Sequence, residues 1–577
     1  MSSIGFPMPG SWAVDATQVG ALVAGVGAAS SAVQKLQNTL NMQATLNMGG
    51  DLRIVTPGIY EFDVSNGPMT FPSNTTLYIG AGVTLRVANG SPSALFTNSY
   101  ARSTGVTMAG ANVSYTVAAG SGWATTYVVE VTNMTAAQAA LFPVNSWVSA
   151  VVLGHGLAGA AGTALAGRGY RGVNRVVSQT INGASSSIQY LMQQNVYPGS
   201  APSTNPVTLY QANENIAIWG PGTIDGNGAN ARQTFIDGFT PGSGNPQSVV
   251  LWWRHAYNVV VTGPYFLRGI TWTIGSNYVR NYTVRQCTCE LRASPTFDSM
   301  DFIHLSGNHQ TVLVEDIDGG SGDNAVGMTI DCTDAAAQPG NGFNFAYQSP
   351  GDMYDVTIRR ISAEAICEDG SFGIVAMYGP EAYLYRNISI NGVTGQGSSG
   401  VQLANYAATN QTKLTVDRLV ISNVRTFSGS AQVELTAGAV FDIGELSIDS
   451  LITPREDVPA YRAYDTATGT IRSLLLRSLV HAPYDNVTYT RTAPLARFGG
   501  VNINALNCAN SENIVQAINV RAFAADGPGN ILKVGIQNSS GTSSGTGAGL
   551  AALWADTGAG TAAAPVYTNS SSNGTAL

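Results

Sequence analysis

The chain has 577 residues, a formal net charge of −8, 66 glycines and only 11% charged residues, against about 25% charged in an average globular protein. With just three lysines (Lys35, Lys413 and Lys533) it offers no basic patch for a phosphate backbone. Nucleic acid is therefore not expected as a partner, and a neutral or weakly charged ligand fits better.

Met1 to Gly10 holds no basic segment followed by an apolar core, so no signal peptide is expected. Next, Val19, Leu22, Val26, Ala29, Val33, Leu36 and Leu40 follow spacings of 3 and 4, the seam of a coiled coil that would suit a homotrimer. Gly20, Gly25 and Gly27 oppose it, each costing a helix about 1 kcal/mol relative to alanine. The preferred alternative is a short amphipathic helix over 31–40 that caps the open end of a β-structure and covers its unpaired edge. Residues 1–50 are therefore read as an N-terminal helical region.

Strands are predicted at 52–55, 77–79 and 83–85, opening a stacked β-structure over 51–112. Residues 113–212 break the pattern, with strand-like runs at 127–131 and 147–152, and are read as an inserted small β-domain. The apolar stretch 144–165 is interrupted by Asn145, Ser149 and His155, which makes it a poor membrane span, and no membrane insertion is expected.

From 213 to 489 one pattern recurs, with apolar triplets starting at Ile216, Val259, Tyr282, Val312, Val356, Ile388, Leu419, Leu446 and Leu474. Their starts are 43, 23, 30, 44, 32, 31, 27 and 28 residues apart. Each interval holds about one coil of a parallel β-helix, and the two longest hold an inserted loop or an extra coil. Alternation buries one face of each strand, and the next coil, about 4.8 Å away, satisfies its backbone. A β-sandwich is the competing reading. Residues 490–577 are rich in Gly, Ser and Ala and are read as a C-terminal module, with a strand near 531–536. The five cysteines, Cys287, Cys289, Cys332, Cys367 and Cys508, are odd in number and widely spread. They are read as buried thiols, with no disulfide framework, no metal site and no cofactor.

Two aspartates stand out: Asp301 in Ser-Met-Asp-Phe-Ile-His and Asp323 in Ser-Gly-Asp-Asn-Ala-Val, separated by about one coil. Stacked on neighbouring rungs they would supply the two carboxyls that glycosidic hydrolysis needs, one protonated and one ionised. Close carboxylates at an effective dielectric near 20 repel by about 2–3 kcal/mol, which holds one of them protonated.

Around this pair, residues 220–379 resemble the polygalacturonase-like glycoside hydrolases of the pectin-lyase-like β-helix superfamily. The resemblance rests on Gly220-Pro-Gly-Thr-Ile-Asp225-Gly-Asn-Gly228, on Ile270-Thr-Trp272-Thr-Ile274, on Ser299-Met-Asp301 in place of Asn-Thr-Asp, and on Gly322-Asp323-Asn324 in place of Gly-Asp-Asp. It implies an all-β, right-handed parallel β-helix with Asp323 as general acid and Asp301 as part of the base. The chain departs from that family where Asn324 replaces a second aspartate, where Asn341 stands for a histidine, and where 373–377 lacks the Arg and Lys that hold a uronate. Polygalacturonate is therefore disfavoured. His304, three residues from Asp301, is the candidate replacement imidazole. Asn324, Asn341, Trp272 and Arg268 complete the expected substrate-binding set, with Trp252 and Trp253 as further stacking faces and Arg254 and His255 as weaker contacts.

With its N-terminal helix, insertion and C-terminal region the chain also resembles bacteriophage tailspikes. That implies a virion tail protein made in the host cytoplasm and acting at the host cell surface. It would be a homotrimer, joined to other tail proteins through its N-terminal region, that binds and hydrolyses capsule or lipopolysaccharide. A non-catalytic polysaccharide-binding fibre, a lyase and a cellular pectinase-like enzyme remain as alternatives.

Overall fold

A strand with one apolar face needs both a core and a backbone partner, and a coil-length repeat supplies the partner one coil on. The computed structural model describes residues 14–15, 22–25, 31–91, 94–102, 104–119, 126–152, 171–193, 206–227, 249–269, 272–290, 301–330, 351–365, 372–379, 384–404, 414–454, 457–481, 494–515, 523–525, 527–537, 539–543, 554–556, 560–568, 570–572 and 575–576. These fall into two compact units, one of 1–299 with 308–310 and 334–349, the other of 300–307, 311–333 and 350–577.

In the first unit a helix runs Ala32–Asn47, its N-cap Ser31 accepting the Gln34 N–H. It extends past the expected end at Leu40. It buries Asn38, Met42, Thr45 and Leu46, while the seam residues Val33, Leu36 and Leu40 are exposed, Val33 at 77%. The heptad positions are thus not the face that packs. Polar side chains fix the helix in place. Asn38 Nδ2 donates to the Glu61 carbonyl at 3.1 Å, Thr39 Oγ1 to the Asp63 carbonyl at 2.9 Å, and Gln43 exchanges bonds with both backbone groups of Thr70 at 2.7 and 3.0 Å. Those are backbone groups that an uncovered first coil would leave open.

Beyond the helix, a parallel ladder climbs through Leu52, Leu77, Ile218, Val261 and Val284, all buried. A separate antiparallel sheet is made by Val106–Met108, Val113–Ala119, Thr126–Met134, Trp147–Val152, Arg171–Thr180, Ser186–Gln193 and the first half of Val207–Trp219. It has its own core, including Val129, Val131, Phe142, Ile188, Tyr190 and Leu209. The strand Val207–Trp219 belongs to both sheets: 207–212 pair antiparallel with Trp147–Val152, and 213–219 pair parallel with Val249–Thr262.

The second unit carries two long parallel ladders. One stacks Val356, Ile388, Leu419, Leu446, Leu474, Leu506 and Val534. The other stacks Ile303, Val326, Val375, Val401, Val433, Tyr461, Ala496 and Phe523. All of these side chains are buried. The first ladder runs beyond residue 490, and Val566–Thr568 adds a further coil against Val534–Gln537.

Coil corners carry a second repeat. The residue just before a ladder triplet adopts positive φ at Asn74, Asn215, Asn258 and Asn281 in the first unit and at Asp355 and Asn387 in the second. Asparagine and aspartate tolerate this conformation because their short polar side chains bond locally. Here the amides bond coil to coil, Asn215 to Asn74 at 2.8 Å, Asn258 to Asn215 at 2.8 Å and Asn281 to Asn258 at 3.0 Å.

Cys287, Cys289 and Cys508 are buried and free, and burial pushes the Cys287 and Cys289 thiols up to about 12. Cys332 and Cys367 lie outside the described residues. Among the described residues no helix is long and apolar enough to cross a membrane.

Candidate active site

The strand Ile303–Ser306 pairs in parallel with Val326–Thr329, Ile303 opposite Val326 and His304 opposite Gly327. A one-coil offset of this size sets Asp301 beside Asn324, and the Asn324 N–H donates to Asp301 Oδ1 at 3.0 Å. Asp323 is the adjoining residue, partly buried, with its carbonyl accepting from Ser321 Oγ at 3.1 Å. The register thus places Asn324, rather than Asp323, opposite Asp301.

Ile303 and Leu305 point into the core, so His304 points out, and its Nδ1 meets Asp301 Oδ2 in a short contact. Both side chains are nearly enclosed, Asp301 at 3% exposure. Burial opposes charge on each. It raises the Asp301 carboxyl to about 8 against the lowering effect of the Asn324 hydrogen bond, and lowers the His304 imidazole to about 3. Burial thus favours the neutral form of each group over its charged form.

Gly327 makes room for the pair. A Cβ there would lie 2.8 Å from Asp301 Cγ and 3.0 Å from His304 Nδ1, so a side chain at 327 would collide with both.

From Asp301 a hydrogen-bonded chain runs along the coils. Asn324 Nδ2 donates to the Gly373 carbonyl at 2.6 Å, and Asn324 Oδ1 accepts from Tyr378 Oη at 3.1 Å. Tyr378 Oη also reaches Gln402 Oε1 at 3.4 Å, and Gln402 Nε2 donates to Glu434 Oε1 at 3.0 Å. The residues of this face stack in register: His304, Gly327, Ala376, Gln402, Glu434, Arg462 and Arg497. Gly327, Gln402 and Glu434 were not singled out from the sequence. They are unequally spaced along the sequence, and only the strand register brings them into one column.

The other expected contacts divide. Asn324 is fully buried with both ends of its amide engaged inside the protein, so it orients Asp301 and has no atom left for substrate. Trp272, Trp252 and Trp253 are all buried and expose no face on which a sugar ring stacks. They were expected outside because aromatics bind sugars. They lie inside because both faces of the strands that carry them are covered, Val249–Thr262 along most of its length and Trp272–Arg285 through its first eight residues. Arg268 is committed to Asp225, which it grips through Nε at 2.9 Å and through Nη2, while Arg86 Nε reaches the same carboxylate at 2.8 Å. His255 is buried, hydrogen-bonded to Ser149 Oγ at 2.8 Å and stacked on Tyr210 and Tyr278 with centroids at 4.4 and 5.1 Å. Desolvation, with the Arg254 charge beside it, drives its imidazole pKa well down. Arg254 itself lies 5.9 Å from the Tyr278 ring. Asn341 lies outside the described residues.

The glycine-rich segment at 220–228 has a structural use. Asp225 is fully buried between Arg86 and Arg268, and its Oδ1 accepts the Asn227 N–H at 2.8 Å. At Gly226 a Cβ would sit 2.6 Å from the Arg268 carbonyl oxygen, so only glycine lets the coils approach.

Among the described residues no group of three or more His, Cys, Asp or Glu is placed to hold a metal ion. No protein-family profile and no curated protein matches the chain. The chain is similar to solved structures at low identity. The tailspike protein gp49 from Pseudomonas phage LKA1 is 13% identical with a TM-score of 0.43, over 93% of this chain and 83% of that one. A variant of the tailspike of E. coli bacteriophage HK620, in complex with a pentasaccharide, is 10% identical with a TM-score of 0.45, over 96% and 78%. A family 28 exopolygalacturonase of Yersinia enterocolitica is 11% identical with a TM-score of 0.34, over 92% and 74%.

Proposed function

We propose that this chain is a phage tailspike with a right-handed parallel β-helix, which binds a bacterial surface polysaccharide, capsule or lipopolysaccharide, and hydrolyses it. The observation that carries the reading is the enclosed Asp301–His304 pair, in direct contact, with Asp301 hydrogen-bonded to the backbone of Asn324, the residue after Asp323. Hydrolysis needs a proton for the leaving glycosidic oxygen and a carboxylate that takes one from the attacking water. The sequence pattern assigned the acid to Asp323 and the base to Asp301. The raised Asp301 pKa favours the reverse, since a carboxyl that titrates near 8 keeps its proton at neutral pH. In this reading the Asp301–His304 pair protonates the leaving oxygen, and the Asp323 carboxylate accepts the proton of the water that adds to the anomeric carbon. Proton count and charge are restored when Asp323 returns its proton to solvent and the pair regains one.

The same reading makes the chain a homotrimer on the virion tail, attached to other tail proteins through residues 1–50, with 113–212 as an inserted β-domain and 490–577 as a C-terminal module. A second reading, binding without hydrolysis, is favoured by one observation: Asp301 and His304 are almost sealed from solvent. The purified protein is incubated with a panel of bacterial capsular polysaccharides and lipopolysaccharide O-chains, and new reducing ends are measured alongside binding. Wild type is expected to release reducing ends, and Asp301→Asn and Asp323→Asn to release at least roughly 100-fold fewer with binding retained. Binding by wild type with no reducing ends sinks the hydrolase and leaves the binding protein.

A further inference from the structure

Glu434 lies on the strand Leu414–Leu435, between Val433 and Leu435, which both point into the core. Its carboxylate therefore points out, yet it is recessed, at only 4% exposure. Oε1 is used, accepting from Gln402 Nε2 at 3.0 Å. Oε2 is buried and meets no hydrogen-bond donor among the described residues. Arg462 is the register partner of Glu434 one coil on, but it does not neutralise the carboxylate. Its guanidinium lies 3.8 Å from the centroid of the Tyr464 ring, whose hydroxyl is itself bonded to Ser430 at 3.0 Å. An enclosed carboxylate oxygen with no donor is unfavourable to the folded protein unless something from outside supplies one.

Position says what that is. Glu434 is four register steps from His304 in one column, through Gly327, Ala376 and Gln402, and it is tied to Asp301 by the Asn324–Tyr378–Gln402 hydrogen bonds. Two of the intervening positions, both buried, are glycine and alanine, which add little side-chain bulk between the polar ends of the column. Coils repeat about every 4.8 Å, which is close to the length of one pyranose ring. A glycan laid along the column would thus present about one sugar to each coil.

Resting on the polysaccharide reading above, we propose that Glu434 is a sugar-binding residue whose Oε2 accepts a hydroxyl hydrogen from a ring several sugars away from the Asp301–His304 pair. An acceptor-only carboxylate selects a donor, so this subsite takes a neutral, hydroxyl-rich sugar and repels a uronate.

The test uses the full chain and an array of immobilised bacterial polysaccharides, half neutral and half uronate-containing. Affinity of the tightest binder is measured for wild type, Glu434→Gln and Glu434→Ala, and each protein is melted without glycan. Expected are a neutral tightest binder, a roughly tenfold or greater loss of affinity in both variants, and a melting temperature for Glu434→Gln at or above that of wild type. The inference is overturned if Glu434→Gln binds within about twofold of wild type, if a uronate polymer binds tightest, or if Glu434→Gln melts lower, because Oε2 then has an internal donor. Should wild type bind none of the polysaccharides, the parent reading fails as well, which separates the two failures.

Discussion

Asp225 and Asp301 are both enclosed carboxyl groups on parallel coils, one in each unit, and they are satisfied very differently. Asp225 receives two arginine side chains and a backbone N–H, so its charge is matched on every side. Asp301 receives one backbone N–H and an imidazole that burial keeps neutral, and its pKa rises to about 8. A matched carboxylate holds coils together. An under-matched one retains a mobile proton, which is what acid catalysis needs.

That contrast is open to attack at three points. The largest effect is expected at Asp225, where Asp225→Asn leaves Arg86 and Arg268 without their counter-charge. Breaking such a pair costs about 3 kcal/mol, read as a lowered urea midpoint. A change below about 0.5 kcal/mol would mean the arginines find water instead, and the two aspartates would not differ in kind. Next is Gly327→Ala, whose methyl group would press on Asp301 and His304. It should cost about 1–3 kcal/mol of stability and lower hydrolysis by at least roughly 100-fold. Retained hydrolysis would remove the pair from the chemistry.

The smallest effect is in pH dependence. Asp301 is raised from 3.8 to about 8 and His304 lowered from 6.5 to about 3. Between about pH 3.8 and 6.5 the folded pair and the unfolded pair each bind one proton, so stability from these groups is flat. Above 6.5 the unfolded pair has lost both protons while the folded pair keeps one, so stability falls until the pH passes about 8. The loss is on the order of 2 kcal/mol, seen in urea midpoints at pH 6.5 and 8.5, and Asp301→Asn should abolish it. An equal slope in the variant would place the titration elsewhere.

Much of the second unit's ladder was legible beforehand. Val356, Ile388, Leu419, Leu446 and Leu474 were picked out by alternation and are neighbours in one stack. The N-terminal helix was also legible, though its packed face was not. Val33, Leu36 and Leu40 are apolar and exposed, whereas Asn38 and Thr45 are polar and buried because they serve backbone groups of the coil beneath or of the helix itself. The asparagine corners were a missed signal: a residue that tolerates positive φ directly before an apolar triplet marks where a coil turns.

By itself the sequence determined the alternating strands and the coil-length offset that sets Asp301 beside Asn324, because alternation is a local property of the chain. Only the tertiary structure decided which polar side chains are matched. Coil-to-coil register and packing bring Arg268 to Asp225, bury Trp272, and put Gln402 and Glu434 in the same column as His304. Matching depends on what lies one coil away, and that neighbour is dozens of residues distant along the chain.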